Sequence, residues 1–161
     1  MGASFTSGPA LPLLPALTRD ISGAGRLDIA VAFVFRSGLA RLKPFIEELL
    51  EKEEGRFRIL TGDYLNASDP DGLQDLLDLK ALYPEKCWVY IYSTENARSF
   101  HPKSYLMFDV QGQHVAYVGS SNISHTALVG GVEWNYRIAS SVDPSGWSSV
   151  SAEFDLSLIH I

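Results

Sequence analysis

Segments typical of strands and helices alternate through residues 26–92, and this alternation constrains the fold more than any other feature. Three apolar segments rich in valine, isoleucine and aromatic residues predict strands at 26–35, 56–61 and 87–92. The two intervening segments carry apolar residues at helical spacing, which predicts helices there, with Ser37 as the cap of the first. Strand, helix, strand, helix, strand is the order of a parallel α/β layer.

The rest of the chain predicts antiparallel pairing. Residues 103–110 and 114–119 flank a glycine-containing turn and favour a hairpin. A short helix over 122–128, a strand over 132–139 and a terminal helix over 146–156 follow. We therefore predict an α/β domain with a mixed central β-sheet and helices on both of its faces.

The chain has 161 residues, the size of one ordinary domain, which we place at 23–161. We expect residues 1–22 to be an N-terminal arm that Pro12 and Pro15 make irregular. The last residues are still apolar and carry no helix stop. Two interpretations stay open: the chain is truncated at its C-terminus, or its end is not native.

Composition and charge narrow the possible functions. Hydrophobic residues make up 46% of the chain, so we expect a packed core, and the net charge of -6 argues against broad electrostatic binding of nucleic acid. A small basic cleft is still compatible with an acidic surface, and from Lys103 onward only Lys103 and Arg137 carry fixed positive charge. The single Cys87 fits a reducing compartment and a cytoplasmic location. No apolar run reaches membrane-spanning length, and we expect no stable membrane association.

His101-Pro102-Lys103 has the pattern H-x-K. Residues two apart on an extended strand point to the same face, so an imidazole and an ammonium would lie together. That pair can attack a phosphodiester and hold its non-bridging oxygens. The alternatives are a loop histidine ahead of a strand and a lysine that protects a sheet edge.

The segment 119–122 has the pattern G-S-x-N, one hairpin further along the chain. Ser120 and Asn122 can add neutral hydrogen-bond donors for the same phosphate oxygens. The alternative is a tight turn from strand to helix in which serine or asparagine is the cap. Both interpretations can hold together, because a helix N-terminus also binds anions.

Glu133 lies between Val132 and Trp134 in the last predicted strand. Its expected functional role is to hold the His101 ring by a hydrogen bond and to stabilise the imidazolium. The alternative is an ion pair with Arg137 on the surface.

Other reaction classes fit less well. One cysteine and no clustered histidines argue against a zinc site, and no phosphate-binding P-loop is present. Ser120 does not lie in a nucleophile-elbow sequence. Asp69-Pro70-Asp71-Gly72 lacks the later ligands of a calcium loop, so Asp69 or Ser68 is expected to cap a helix instead. We expect neither metal nor cofactor.

These motifs resemble the signature of the phospholipase D superfamily, which is H-x-K followed by an aspartate and then G-S-x-N. His101, Lys103, Gly119, Ser120 and Asn122 match this signature. The resemblance covers nearly the whole chain in element order, and it implies a phospholipase D-like fold.

Three further positions refine the resemblance. Glu133 matches the position at which nuclease members carry a glutamate. The usual spacing places the aspartate at Phe108, and Asp109 comes one residue late. Because many nuclease-like members lack this generally structural aspartate, the departure weakens a lipase interpretation more than a nuclease interpretation.

The chain also resembles the phospholipase D-like domains that precede superfamily 2 helicase modules, and similar domains occur in restriction endonucleases. The residues that carry this resemblance are Asp63-Tyr64-Leu65, Asp69-Pro70 and the helix around 73–79.

The resemblance implies a metal-independent phosphodiesterase, a DNA endonuclease domain of a larger helicase-type or restriction-type protein. Family chemistry needs two H-x-K motifs, and this chain has one, so a homodimer with facing His101 side chains is implied. One His101 would form a phosphohistidine and the other would act as general acid and base, with Lys103, Asn122 and Ser120 at the phosphate oxygens. The alternatives are a phospholipid hydrolase or transferase, and a non-catalytic module for nucleic-acid binding or dimerisation.

Overall fold

Seven strands form one mixed sheet at the centre of the protein. In this computed structural model the described residues are 4–63, 67–93 and 99–159, and they form seven strands, four α-helices and one π-helical turn. The elements in chain order are β1 Phe5–Ser7, α1 Leu13–Ser22, β2 Ala24–Val31, α2 Arg36–Glu51, β3 Arg56–Gly62, α3 Pro70–Leu82, β4 Cys87–Tyr92, β5 Lys103–Asp109, β6 Val115–Gly119, the π-helical turn Thr126–Gly130, β7 Trp134–Ala139 and α4 Pro144–Ile159. The strand order across the sheet is β1-β7-β6-β5-β2-β3-β4.

The predicted parallel layer is confirmed. Strands β2, β3 and β4 pair in parallel, and α2 and α3 connect them. Helix α3 begins after Asp69, whose side chain accepts a hydrogen bond from the Asp71 backbone N–H, as a helix cap does. Cys87 is buried at the start of β4, where burial raises the pKa of its thiol to about 11.

The antiparallel half determines where polar side chains can meet. Strand β5 pairs antiparallel with both β2 and β6, and β7 pairs antiparallel with β6. Lys103 lies opposite Val31, and Gly119 lies opposite Asn135. One end of the sheet therefore combines the last residues of β2 and β6 with the first residues of β5 and β7.

Helices cover both faces of the sheet, as the sequence predicts. The larger core lies under α1, α2 and α3, where Leu17, Leu39 and Leu76 are buried against the sheet. The smaller core lies under α4, whose Trp147 and Phe154 pack on the opposite face. Helix α4 is longer than predicted, and the Asp143 side chain accepts a hydrogen bond from the Gly146 N–H at its start.

The prediction that the N-terminal segment is irregular is wrong. It forms edge strand β1, which pairs with β7, and helix α1, which contains Pro15. Proline is tolerated in the first turn of a helix because the N–H that it lacks has no partner there. Apolar residues at a spacing of four bury one face of α1, namely Leu13, Leu17 and Ile21.

Two predictions about helix starts are also wrong. Helix α2 begins at Arg36, so Ser37 lies inside it and Phe35 occupies the cap position without a side-chain hydrogen bond. The helix expected over 122–128 is instead the π-helical turn. Ser124 lies just before this turn and accepts a hydrogen bond from the N–H of Ala127 within it. Asn122 therefore caps no helix.

Some predicted features lie outside the described residues. These are residues 1–3 of the predicted N-terminal arm, Tyr64 and Leu65 of the helicase-type resemblance, and the last two residues. Within the described ranges, no helix has both the length and the apolar character needed to cross a membrane.

Candidate active site

The five residues singled out by the sequence lie at one end of the sheet. Lys103 begins β5 and His101 lies two residues before it, Ser120 and Asn122 follow β6, and Glu133 precedes β7. Because these strands are neighbours and antiparallel, residues far apart in sequence come together there.

The H-x-K pair makes direct contact. Nζ of Lys103 lies 2.6 Å from Nδ1 and 3.2 Å from Nε2 of His101, and it donates a hydrogen bond to the His101 backbone oxygen at 3.0 Å. An ammonium group has only donors, so the ring nitrogen that it contacts must accept. The His101 side chain is otherwise exposed, which leaves the ring accessible to a substrate.

Lys103 is buried in the middle of the sheet. It is only 8% exposed, and β5 has neighbours on both sides, so the sheet-edge alternative is wrong. Burial lowers the pKa of the Lys103 ammonium, and the negative charge of Glu133 counteracts part of this effect. A buried lysine is costly unless it faces a polar site, and the polar groups here are His101 and Glu133.

Asn122 is oriented by the backbone that follows β2. Its Oδ1 accepts a hydrogen bond from the Phe33 N–H at 3.0 Å. The Phe33 ring meets the His101 ring edge to face, with centroids 5.9 Å apart. Phe33 thus links Asn122 to His101. Among the described residues, the Nδ2 donors of the Asn122 amide have no partner, so they are available to a ligand.

Ser120 and Glu133 form a second pair. The Ser120 hydroxyl donates a short hydrogen bond to Oε2 of Glu133, and it accepts one from the Trp134 N–H at 3.0 Å. The alternative of a Glu133 ion pair with Arg137 is wrong, because Arg137 pairs with Asp20 at 2.8 Å. Within the described residues of one chain, Glu133 does not make the hydrogen bond to His101 that the sequence led us to expect.

Gly119 allows β6 and β7 to approach closely at the site. A Cβ at this position would clash with the backbone oxygen of Trp134 and with Asn135. The Ser120 N–H donates to that same Trp134 oxygen at 3.0 Å. The glycine of G-S-x-N is therefore required by packing, and it positions Ser120 beside Glu133.

A buried network lies beneath the site. The Tyr105 hydroxyl donates to the Ser121 backbone oxygen at 2.9 Å, and the Ser121 hydroxyl accepts from Nδ2 of Asn135 at 2.9 Å. Burial raises the pKa of Tyr105, and the charge of Glu133 raises it further. These buried hydrogen bonds hold the loop between Gly119 and Asn122 in place.

The position at which the signature carries an aspartate is apolar here. Phe108 faces α4, where its ring packs edge to face on Trp147 and carries the Arg26 guanidinium 3.5 Å from its centroid. Asp109 instead accepts a hydrogen bond from the Gln111 N–H at 2.7 Å, in the turn of the hairpin. Neither residue contacts the site.

Sequence reasoning missed two parts of this region. Phe33 gave no signal, because its role depends on a backbone N–H and on ring packing. A stripe on α4, Ser149, Glu153 and Ser157, lines a cavity of about 450 Å³ that also reaches His101 and Lys103. The spacing of four along the helix was a signal that could have revealed this stripe.

The described residues contain no group of three or more His, Cys, Asp or Glu side chains arranged to hold a metal ion. The fixed positive charge at the site is that of Lys103.

Solved structures of known proteins share this fold. NucT from Helicobacter pylori superposes with a TM-score of 0.67 and 15% sequence identity, over 98% of this chain and 95% of that one. Nuc from Salmonella typhimurium, described as a phospholipase D family member, gives a TM-score of 0.60 and 14% identity over 90% of each chain. Yeast tyrosyl-DNA phosphodiesterase gives a TM-score of 0.54 and 13% identity, over 84% of this chain and 31% of that one.

Sequence comparison is less sensitive at this distance. No protein-family model matches the chain, and no curated protein sequence matches it either. The similarity therefore rests on the course of the backbone, which follows these structures over almost the whole length of the chain. The chain has the fold of the phospholipase D superfamily, as its H-x-K and G-S-x-N motifs predicted.

Proposed function

We propose that this protein is a metal-independent phosphodiesterase that cleaves DNA. The observation that carries the proposal is the contact between buried Lys103 and the exposed ring of His101, 2.6 Å apart. The pair combines a nucleophile with a positive charge, and a single substrate phosphate can contact both groups. The fold shared with yeast tyrosyl-DNA phosphodiesterase supports a phosphodiester in DNA as the substrate.

The reaction proceeds in two displacements. A ring nitrogen of His101 attacks phosphorus, a P–N bond forms, and the P–O bond to the leaving group breaks. A general acid donates a proton to the leaving oxygen. The same group then takes a proton from water, whose oxygen attacks phosphorus and breaks the P–N bond, so that His101 is regenerated.

Lys103 and Asn122 stabilise the transferred group. Lys103 faces the equatorial oxygens and stabilises their negative charge, as a divalent cation does in other phosphodiesterases. The Asn122 amide, held at Oδ1 by the Phe33 N–H, directs its Nδ2 donors at the same oxygens. Ser120 supports this arrangement through Glu133.

The general acid comes from a second copy of the chain. One chain supplies one H-x-K pair, and the two displacements need a nucleophile and a separate proton carrier. In a symmetric dimer, His101 of the partner subunit fills the second role. In such a dimer, Glu133 is available to accept a hydrogen bond from the partner's His101.

An apolar surface beside the site supports the dimer. Trp134 and Tyr136 are 65% and 55% exposed, and Phe5 lies against Trp134 with ring centroids 6.3 Å apart. Val118 is also partly exposed and lines the cavity at His101. Exposed aromatic residues of this kind mark interaction surfaces.

The catalytic proposal is tested by cleavage of labelled DNA in EDTA. The wild-type protein is expected to cut, and His101→Ala is expected to be inactive, whereas His125→Ala, which changes an exposed histidine outside the site, keeps its activity. Activity that disappears in EDTA and returns with Mg²⁺ would contradict the proposal. Phosphatidylcholine vesicles offered in parallel test the phospholipid alternative.

The dimer is tested by sedimentation at micromolar concentration. Trp134→Ser is expected to shift the protein towards monomer and to lower its activity, because it removes the centre of the apolar surface. Val142→Ser is the matched control, since Val142 is 83% exposed and follows the far end of β7. A wild-type protein that is strictly monomeric and fully active would disprove the shared site.

The sequence resemblance to domains that precede helicase modules supports a role as the nuclease part of a larger helicase-type or restriction-type protein.

A further inference from the structure

A cavity between α4 and the sheet opens directly onto the H-x-K pair. Its volume is about 450 Å³, which lies in the range of about 300–1,000 Å³ that is common for ligand pockets. His101 and Lys103 line one end of it, and Glu153 of α4 lines it as well. Whatever occupies this cavity is therefore a neighbour of the group bound at His101.

Helix α4 presents a polar stripe to the cavity. Ser149, Glu153 and Ser157 are spaced by four residues and lie on one face of the helix, above the buried ring of Phe154. Among the described residues, the Glu153 carboxylate makes no hydrogen bond and no ion pair. It is thus an acceptor with free capacity that faces the same space as Lys103.

The charges of Lys103 and Glu153 determine how a ligand is oriented in the cavity. A phosphate is attracted to Lys103 and repelled by Glu153, so the phosphate lies at the His101 end. The group beyond it must be uncharged or cationic, and it must offer hydrogen-bond donors to Glu153. Val118 and Val150 provide an apolar part of the cavity wall.

We propose that this cavity holds the base of the nucleotide next to the scissile phosphate, and that Glu153 selects bases with an exocyclic amino group. The inference rests on the proposed phosphodiesterase function and adds a base preference to it. A carboxylate accepts hydrogen bonds from the N4 amino group of cytosine, whereas thymine places its O4 acceptor at the equivalent position. The Ser149 hydroxyl can donate or accept, so it tolerates either base. The Ser157 hydroxyl donates to the Glu153 backbone oxygen at 2.8 Å and keeps its capacity to accept.

A quaternary ammonium headgroup is the competing occupant, and the geometry favours it less. Such a cation has no hydrogen-bond donors and is bound by open aromatic faces. Phe154 is the aromatic residue of the cavity, and it is only 3% exposed.

The test compares small diesters that release p-nitrophenol. The substrates are the 5′ and 3′ p-nitrophenyl phosphodiesters of deoxycytidine and of thymidine, p-nitrophenyl phosphorylcholine, and bis(p-nitrophenyl) phosphate, which has no base. The wild-type protein is expected to have a kcat/KM about tenfold higher for the deoxycytidine ester than for the thymidine ester. Glu153→Gln is expected to bring this ratio close to one, because the glutamine amide can face either base.

A matched control separates charge from position. Glu85→Gln removes the same charge from an exposed residue just before β4, at the opposite end of the sheet, and is expected to leave the ratio unchanged. A ratio that changes in both variants, or in neither, would overturn the proposal. So would a wild-type preference for the choline ester that Glu153→Gln abolishes.

The outcomes also distinguish this inference from the function on which it rests. If the wild-type protein hydrolyses bis(p-nitrophenyl) phosphate with no base preference, the base site is wrong and the phosphodiesterase function stands. If none of the esters is hydrolysed by the wild-type protein, both are wrong.

Discussion

The backbone N–H of Phe33 donates a hydrogen bond to Oδ1 of Asn122 at 3.0 Å, across 89 residues of sequence. It joins the segment after β2 to the loop after β6, so the amide of the G-S-x-N motif has one defined orientation. The same residue packs its ring against His101. One phenylalanine therefore positions an asparagine through its backbone and a histidine through its side chain.

Asn122→Asp separates the structural role of this hydrogen bond from its catalytic role. Aspartate keeps the oxygen that accepts from Phe33, but it replaces the amide donors by a negatively charged oxygen. We expect the melting temperature to stay close to that of the wild type and kcat to fall about 100- to 1,000-fold, as on loss of one transition-state donor. DNA cleavage in EDTA and a thermal melt measure the two effects. Asn122→Asp activity within a few-fold of the wild type would show that the amide faces no phosphate.

Lys103→Met tests whether the buried ammonium serves function at the expense of stability. Burial lowers the pKa of Lys103, so the folded protein binds the proton less well than the unfolded chain does. We expect the variant to be inactive, yet at least as stable as the wild type at neutral pH, because methionine has a similar shape without the charge.

The pH dependence of Lys103→Met follows from the same shift. Between the lowered pKa and the ordinary value of 10.5, the unfolded chain holds more protons, so wild-type stability rises with pH relative to the variant. Urea unfolding at neutral pH and near pH 10 measures this difference. A stability gap that widens in favour of the variant as pH rises would contradict the assignment.

Asp20→Asn tests the attachment of α1 to the sheet. Asp20 accepts hydrogen bonds from the Tyr117 hydroxyl at 2.7 Å and from Nε of Arg137 at 2.8 Å. Burial alone would raise the pKa of Asp20, but the hydrogen bonds from Arg19, Arg137 and Tyr117 outweigh it, so the pKa lies below the usual 3.8. At neutral pH we expect a loss of about 1–3 kcal/mol in the free energy of unfolding.

Acid should reduce the effect of Asp20→Asn. The stabilisation is complete above the ordinary pKa of 3.8 and is lost as pH falls through the lowered value. The wild type and the variant should therefore converge in stability only below about pH 3.8. Glu48→Gln, at an exposed position of α2, is the control that should leave stability unchanged. Convergence already at pH 5 would show that another group is responsible.

Gly119→Ala tests the close approach of β6 and β7. The added methyl group meets the Trp134 backbone oxygen and Asn135, which cannot move without breaking the strand pairing. We expect a loss of about 1–3 kcal/mol in stability together with loss of cleavage, because Ser120 moves with the strand. Gly130→Ala is a matched control, since a Cβ there meets nothing within 4 Å. Equal melting temperatures for the two variants would refute this account of the motif glycine.

Local sequence properties were sufficient to predict the strands from β2 to β7, the helices α2, α3 and α4, and the chemistry of the motifs. Apolar periodicity reports which face of a segment is buried, and His101, Lys103 and Glu133 are recognised by residue type and spacing. The same locality explains the errors. Pro12 and Pro15 indicate an irregular segment when considered alone, and only the packing of Leu17 and Ile21 against the sheet makes α1 a helix.

Tertiary structure decided which groups act on which. Asn122 resembles a helix cap in sequence, and it is a partner of Phe33 because β5 pairs with both β2 and β6 and brings their ends together. Glu133 bonds to Ser120 rather than to Arg137, since Asp20 of α1 already occupies that arginine. Glu153 lines the same cavity as His101 only because α4 packs on the sheet face opposite the other helices. The sequence by itself determined the reactive groups and the secondary structure that carries them, whereas their partners depend on contacts between distant segments that exist only in the folded chain.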